Sequence, residues 1–135
     1  MILTRLLWRG LTKRCGVCGQ GGIFNGWFSM VERCPRCNLR FERIDGHLTG
    51  AVGVNTVFSL LVVLLVGIGG FIATYPELPV LPLTLTVMGV AALFPILFYP
   101  TSKTVWTAID LRMRPPTTDE VYPGYGEWIE EYDPR

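Results

Sequence analysis

The feature that most constrains this chain is a silence of charge. The 53 residues from 48 to 100 contain a single charged side chain, Glu77. On one side of it, residues 46–76 hold no Asp, Glu, Lys or Arg and include the run Leu60-Leu61-Val62-Val63-Leu64-Leu65-Val66. On the other, residues 78–102 are equally uncharged. About 20 apolar residues in a helix cross the hydrocarbon layer of a bilayer, so each run is long enough to span. The expectation is two transmembrane helices, at about 50–74 and 79–100, within a hairpin over 48–100. The short link Tyr75-Pro76-Glu77-Leu78-Pro79 makes them antiparallel neighbours.

Charge outside this zone sets direction. Residues 1–47 carry eight Lys/Arg against three acids, and residues 101–135 carry four against seven. Arginines crowd ahead of the first span, Lys103, Arg112 and Arg114 follow the second, and the connecting loop has no basic residue. By the positive-inside rule both termini are expected in the cytoplasm, in a multi-pass protein of a bacterial inner (cell) membrane. The start is interrupted by Arg5 and Arg9 and lacks a small-residue cleavage site, so it is expected to remain on the chain.

Chemistry is concentrated in two pairs, Cys15-Gly16-Val17-Cys18 and Cys34-Pro35-Arg36-Cys37, fifteen residues apart. That is the two-knuckle zinc spacing. Cysteines three apart in a tight turn can both face one ion, and two such turns complete a tetrahedron of thiolates. Gly19 and Asn38 follow the pairs and tolerate the left-handed backbone that closes such a turn. Between the knuckles, Gly21-Gly22 and Asn25-Gly26 signal turns, while Ile23, Phe24, Trp27 and Phe28 offer apolar cover. Residues 14–47 are therefore expected to form a small β zinc ribbon, with one structural zinc as sole cofactor and folding aid. A reducing cytoplasm disfavours disulfides. The lone histidine, His47, is expected at the membrane surface as a hydrogen-bonding residue.

The flanks are thinner in information. Residues 1–13 place Leu3, Leu7 and Leu11 on one side of a helix and Arg5, Arg9 and Lys13 on the other, suggesting a basic amphipathic segment lying on the anionic leaflet. Residues 101–114 have the helical spacing Val105, Trp106, Ile109, Met113 and are expected to run along the interface until Pro115-Pro116. Residues 115–135 form an acidic aromatic tail in which Tyr122, Tyr125, Trp128 and Tyr132 are candidates for partner binding.

The stretch Arg14-Cys15-Gly16-Val17-Cys18-Gly19-Gln20-Gly21-Gly22-Ile23-Phe24-Asn25-Gly26-Trp27, followed by Cys34-Pro35-Arg36-Cys37, Phe41 and two hydrophobic helices, resembles a widespread bacterial family catalogued as domain of unknown function 983. The resemblance covers about residues 12–114; the tail departs from it. It implies a membrane protein with a zinc-ribbon head. In some bacteria such genes lie among those for haem–copper cytochrome oxidase and its assembly factors.

The resulting expectation is a mainly α membrane protein, not an enzyme. It has no Ser/His/Asp set, no phosphate loop and no paired carboxylates; Glu32, Glu42 and Asp45 stand among arginines as solvated ion pairs. Its partners are expected to be the lipid bilayer and other membrane subunits, cytochrome oxidase or a respiratory supercomplex among them, with no nucleic acid. An alternative is a metal- or thiol-handling protein, a metallochaperone or membrane thiol oxidoreductase.

Overall fold

The computed structural model describes residues 2–125. Three helices form: α1 Ile2–Leu11, α2 Thr49–Thr74 and α3 Val80–Met113. α2 and α3 pack on each other as the expected hairpin. Both are long and apolar enough to cross a membrane, and almost none of either apolar stretch is buried within the chain. A soluble protein would hide such helices, because apolar area in water is costly; lipid removes that cost.

α3 has 34 residues, about 51 Å at 1.5 Å per residue, against roughly 30 Å of hydrocarbon. The helix expected to continue over 101–114 forms as the last turns of α3, which runs to Met113 without a break and carries Pro95 and Pro100 within it. Pro100 cannot donate to the carbonyl of Ile96 four residues back. The indole Nε1–H of Trp27 donates to that carbonyl instead, at 2.8 Å. A side chain from the cysteine-bearing segment thus completes the helix at its proline.

The extension of α3 is a strut for everything outside the apolar zone. Ser102, Thr104, Val105, Thr107, Ala108, Asp110 and Leu111 are buried. α1 packs along it through Leu6 and Gly10, with Ile2 partly buried on the same face. α1 thus has two sides: the row Ile2-Leu6-Gly10 packs on α3, while Leu3 and Leu11, of the row expected on the leaflet, are exposed. The close approach depends on Gly10. A Cβ there would stand 3.1 Å from both the Thr104 carbonyl oxygen and the Val105 Cα, and Thr104 Oγ1 donates to the Gly10 carbonyl at 2.6 Å. Gly50 similarly lets the first turn of α2 meet the Trp106 ring, which a side chain would overlap.

Residues 14–47 contain no strand. Among the described residues, β-type pairing is confined to two isolated antiparallel bridges, Phe24–Met30 and Arg33–Arg40, supported by Val31 N–H to Ile23 O and Asn25 N–H to Ser29 O, both 2.9 Å. The expected β ribbon is reduced because the knuckle turns and Gly21, Gly22 and Gly26 leave too few consecutive extended residues for a ladder. One hydrophobic core joins this segment to α1, the α3 extension and Val121. The stretches 2–13, 14–47 and 101–125 are therefore parts of one head at one end of the hairpin.

Candidate metal centre

The two knuckles are built alike. In the first, Gly19 N–H donates to Cys15 O (2.8 Å) and Cys15 N–H to Gln20 O (2.9 Å). In the second, Asn38 N–H donates to Cys34 O (3.0 Å) and Cys34 N–H to Leu39 O (2.9 Å). Gly19 and Asn38 have φ of 75° and 65°, the left-handed backbone expected of each. Neighbours hold both turns. Arg9 donates from Nη1 to the carbonyls of Gly16 and Val17, each at 2.8 Å, and Tyr122 N–H donates to Cys37 O at 3.0 Å.

All four sulfurs converge. Cys15 Sγ lies 3.7 Å from Cys37 Sγ and Cys18 Sγ 3.5 Å from Cys34 Sγ, and all lie within 4.8 Å of one another. Thiolates at about 2.3 Å from a tetrahedral ion stand about 3.8 Å apart, so Cys15, Cys18, Cys34 and Cys37 have the spacing to hold one metal ion. None forms a disulfide. Without metal the four cannot all ionise at these distances. Hydrogen bonding from Cys15 lowers the Cys37 thiol to about 5. The same bond and burial push Cys15 up, and burial raises Cys18 to about 11. A divalent ion would replace those protons.

Burial is uneven around the cluster. Cys15, Cys34 and Cys37 are buried, while Cys18 is only partly so. It lines a surface cleft of about 550 Å³ with Trp8, Arg9, Thr12, Arg14 and Gly19.

A second constellation escaped the sequence. Arg43 lies 3.1 Å from Asp110 Oδ2 and 2.8 Å from Glu120 Oε2 and donates to the Arg114 carbonyl at 2.6 Å. His47 Nε2 is 3.2 Å from the same Asp110 oxygen, but out of line for a hydrogen bond. His47 is tied down through its backbone, whose carbonyl accepts from Trp106 Nε1 at 2.7 Å. Residue by residue, this cluster pins the end of the cysteine segment, the approach to α2, α3 and the start of the tail to one another. Arg43 had only a topological reading in the sequence, and Asp110 had none. Its one signal was being the sole charge in the otherwise neutral run 104–111. Glu32, by contrast, makes an exposed ion pair with Arg40 at 3.9 Å, as expected.

The tail candidates divide. Tyr122 is exposed, whereas Tyr125 packs against the core of the head. Trp128 and Tyr132 lie outside the described residues.

The sequence profile of the family described as "Protein of unknown function (DUF983)" matches residues 24–110, well over half of the chain. The span takes in the second knuckle, all of α2, and α3 as far as Asp110. No curated protein and no solved structure matches the chain.

Proposed function

The chain belongs to the DUF983 family, and from that premise we propose that it is a non-catalytic accessory subunit or assembly factor of a bacterial inner-membrane complex, of the respiratory, cytochrome oxidase type. The observation that carries this reading is the position of the four cysteines. They stand in the core that fastens the head to the extension of α3. A metal bound there would lock the head to the membrane hairpin, and four thiolates complete a tetrahedral shell with no place for a substrate. We assign zinc to the site from its all-cysteine donor set, and read the Phe24–Met30 and Arg33–Arg40 pairings as a minimal β ribbon. The positive-inside rule places both termini in the cytoplasm.

Surfaces suited to partners remain on the hairpin. A side chain added at Gly53, Gly69 or Gly89 would meet open space, so these helix faces can take a close-packed neighbour. Beyond the membrane, exposed Tyr122 offers a polar-aromatic contact. The respiratory assignment rests on the gene neighbourhoods of the family. Purification of tagged protein in mild detergent tests it: respiratory subunits should co-elute, and lose their association when residues 117–135 are deleted. Recovery as a lone monomer would sink the proposal.

One observation favours a second reading, metal or thiol handling: Cys18 opens onto the cleft beside Arg9 and Arg14. Alkylation of the native protein separates the two. Four inert thiols with one retained ion support the structural role, and rapid modification of Cys18 with loss of metal supports the handler.

A further inference from the structure

The turn at residues 25–28 ends in two aromatic side chains that the core of the head does not enclose. Trp27 and Phe28 are 47% and 54% exposed. Their position is fixed by what they touch. Trp27 donates to the carbonyl of Ile96, inside the uncharged stretch of α3 and about 6 Å along the axis from Pro100 at 1.5 Å per residue. The Phe28 ring packs on Tyr99 at 5.4 Å between centroids. Both rings therefore flank the apolar span and not the strut beyond it, and at that depth the surroundings of α3 are lipid.

Cations sit directly over these rings. Lys13 Nζ is 4.9 Å from the centre of Trp27, and Lys103 Nζ 4.9 Å from that of Tyr99; Lys103 also donates to the Phe28 carbonyl. Apolar rings at the level of the span with ammonium groups beside them match the layering of a leaflet, acyl chains below and phosphates above. We propose that the 25–28 turn is a membrane-inserted finger, occupied by the phospholipid of the leaflet through which α3 exits, with Lys13 at its phosphates. The head is then seated on the bilayer by the finger as well as tethered by the hairpin. This rests on α2 and α3 spanning the membrane.

The full chain, reconstituted alone into phosphatidylcholine–phosphatidylglycerol vesicles, provides the test. Tryptophan emission is read against lipids brominated at shallow and deep acyl positions, and against aqueous acrylamide, for the wild type and Trp27→Phe. Metal content is measured on both to establish that the head is intact; if Trp27→Phe loses metal, Phe28→Asp, which keeps the indole and puts a charge on the turn, takes its place and should move Trp27 quenching from the brominated lipid to acrylamide. Trp27 is one of four tryptophans. Its removal should subtract from the shallow-bromolipid-quenched component and leave the acrylamide-quenched component unchanged. The reverse result, or an indole shielded from acrylamide only when a partner protein is added, overturns the finger. Vesicle flotation after alkaline wash reads the hairpin separately: if the chain fails to float, the spanning helices are wrong, and if it floats with Trp27 in water, only the finger is.

Discussion

Arg43 and Asp110 meet at 3.1 Å with side chains only 11% and 4% exposed, 67 residues apart in the chain. A buried pair of this kind adds little over a well-packed apolar substitute, but removing one member leaves a charge without compensation, at about 3–5 kcal/mol. Arg43→Leu strands both Asp110 and Glu120 and should destabilise the head by that amount. Asp110→Asn should cost less, because Arg43 keeps Glu120 and the Arg114 carbonyl. Denaturant unfolding in detergent, followed by tryptophan emission, should rank the two variants in that order; equal losses would contradict the arrangement.

The same arginine makes the tail sensitive to pH. Burial pushes the Glu120 carboxyl up, but hydrogen bonds from Arg43 and Thr117 outweigh it and hold the group below its ordinary range. A depressed folded-state value means the contribution is complete above the unfolded pKa of about 4.3. It is lost as pH falls through the lower folded value. Residues 117–125 should therefore stay protected from hydrogen exchange, after correction for intrinsic rates, down to that window and open below it. Glu120→Gln should be open at every pH, and a tail that stays closed in this variant would remove Glu120 as the clamp.

Metal removal should separate head from hairpin. Leu6, Ile23, Leu39 and Leu111 are fully buried around the cysteines, and the segment 14–47 that carries those cysteines is too short to fold on apolar burial alone. Structural zinc in comparable small modules supplies about 10–16 kcal/mol of apparent binding free energy. Chelation, or Cys34→Ser, should expose this core to protease while α2 and α3 keep their helicity and membrane retention. Elemental analysis should find one ion per chain, and its identity tests zinc. A head that resists protease after complete chelation would show that the ion is not what holds it.

What the sequence disclosed and what it hid follow a physical divide. Spans and knuckles are local: a charge-free run and a CxxC turn each carry their cause within a few residues, so the two long helices, the convergence of Cys15, Cys18, Cys34 and Cys37, and the left-handed Gly19 and Asn38 were all legible. The hidden parts are long-range. No window around Arg43 points to Asp110, and nothing near Pro100 shows that Trp27, 73 positions earlier, replaces its missing donor. The continuation of the helix past Pro100 is legible in the spacing of Val105, Trp106, Ile109 and Met113, but the indole that supports the 34-residue α3 at its proline is not. The packing of α1 is hidden in the same way: its leucine and basic rows are visible in the sequence, but nothing near Gly10 shows the close backbone approach to Thr104 and Val105.

That close approach gives a further test. A Cβ at residue 10 would meet backbone atoms of α3 at 3.1 Å, and backbone cannot turn aside as a side chain can. Over-packing of this kind costs roughly 1–3 kcal/mol. Gly10→Ala should loosen α1 from α3, measured as faster hydrogen exchange over residues 2–11. Gly53→Ala, facing open space, should leave stability unchanged in purified protein.

The proline and the indole can be tested as a pair. If Trp27 serves α3 by donating to the carbonyl that Pro100 leaves without a partner, its value depends on the proline. Trp27→Phe keeps a ring at the site but leaves the Ile96 oxygen unpaired in apolar surroundings, an expected loss of about 1–3 kcal/mol. In a Pro100→Ala background the backbone N–H of residue 100 can supply the bond, so the same substitution should cost much less. The coupling in a double-mutant cycle should be about 1 kcal/mol or more, measured by unfolding of the metal-loaded protein in detergent. Additive losses would mean that the 2.8 Å contact carries no energetic weight, and that α3 passes Pro100 for another reason.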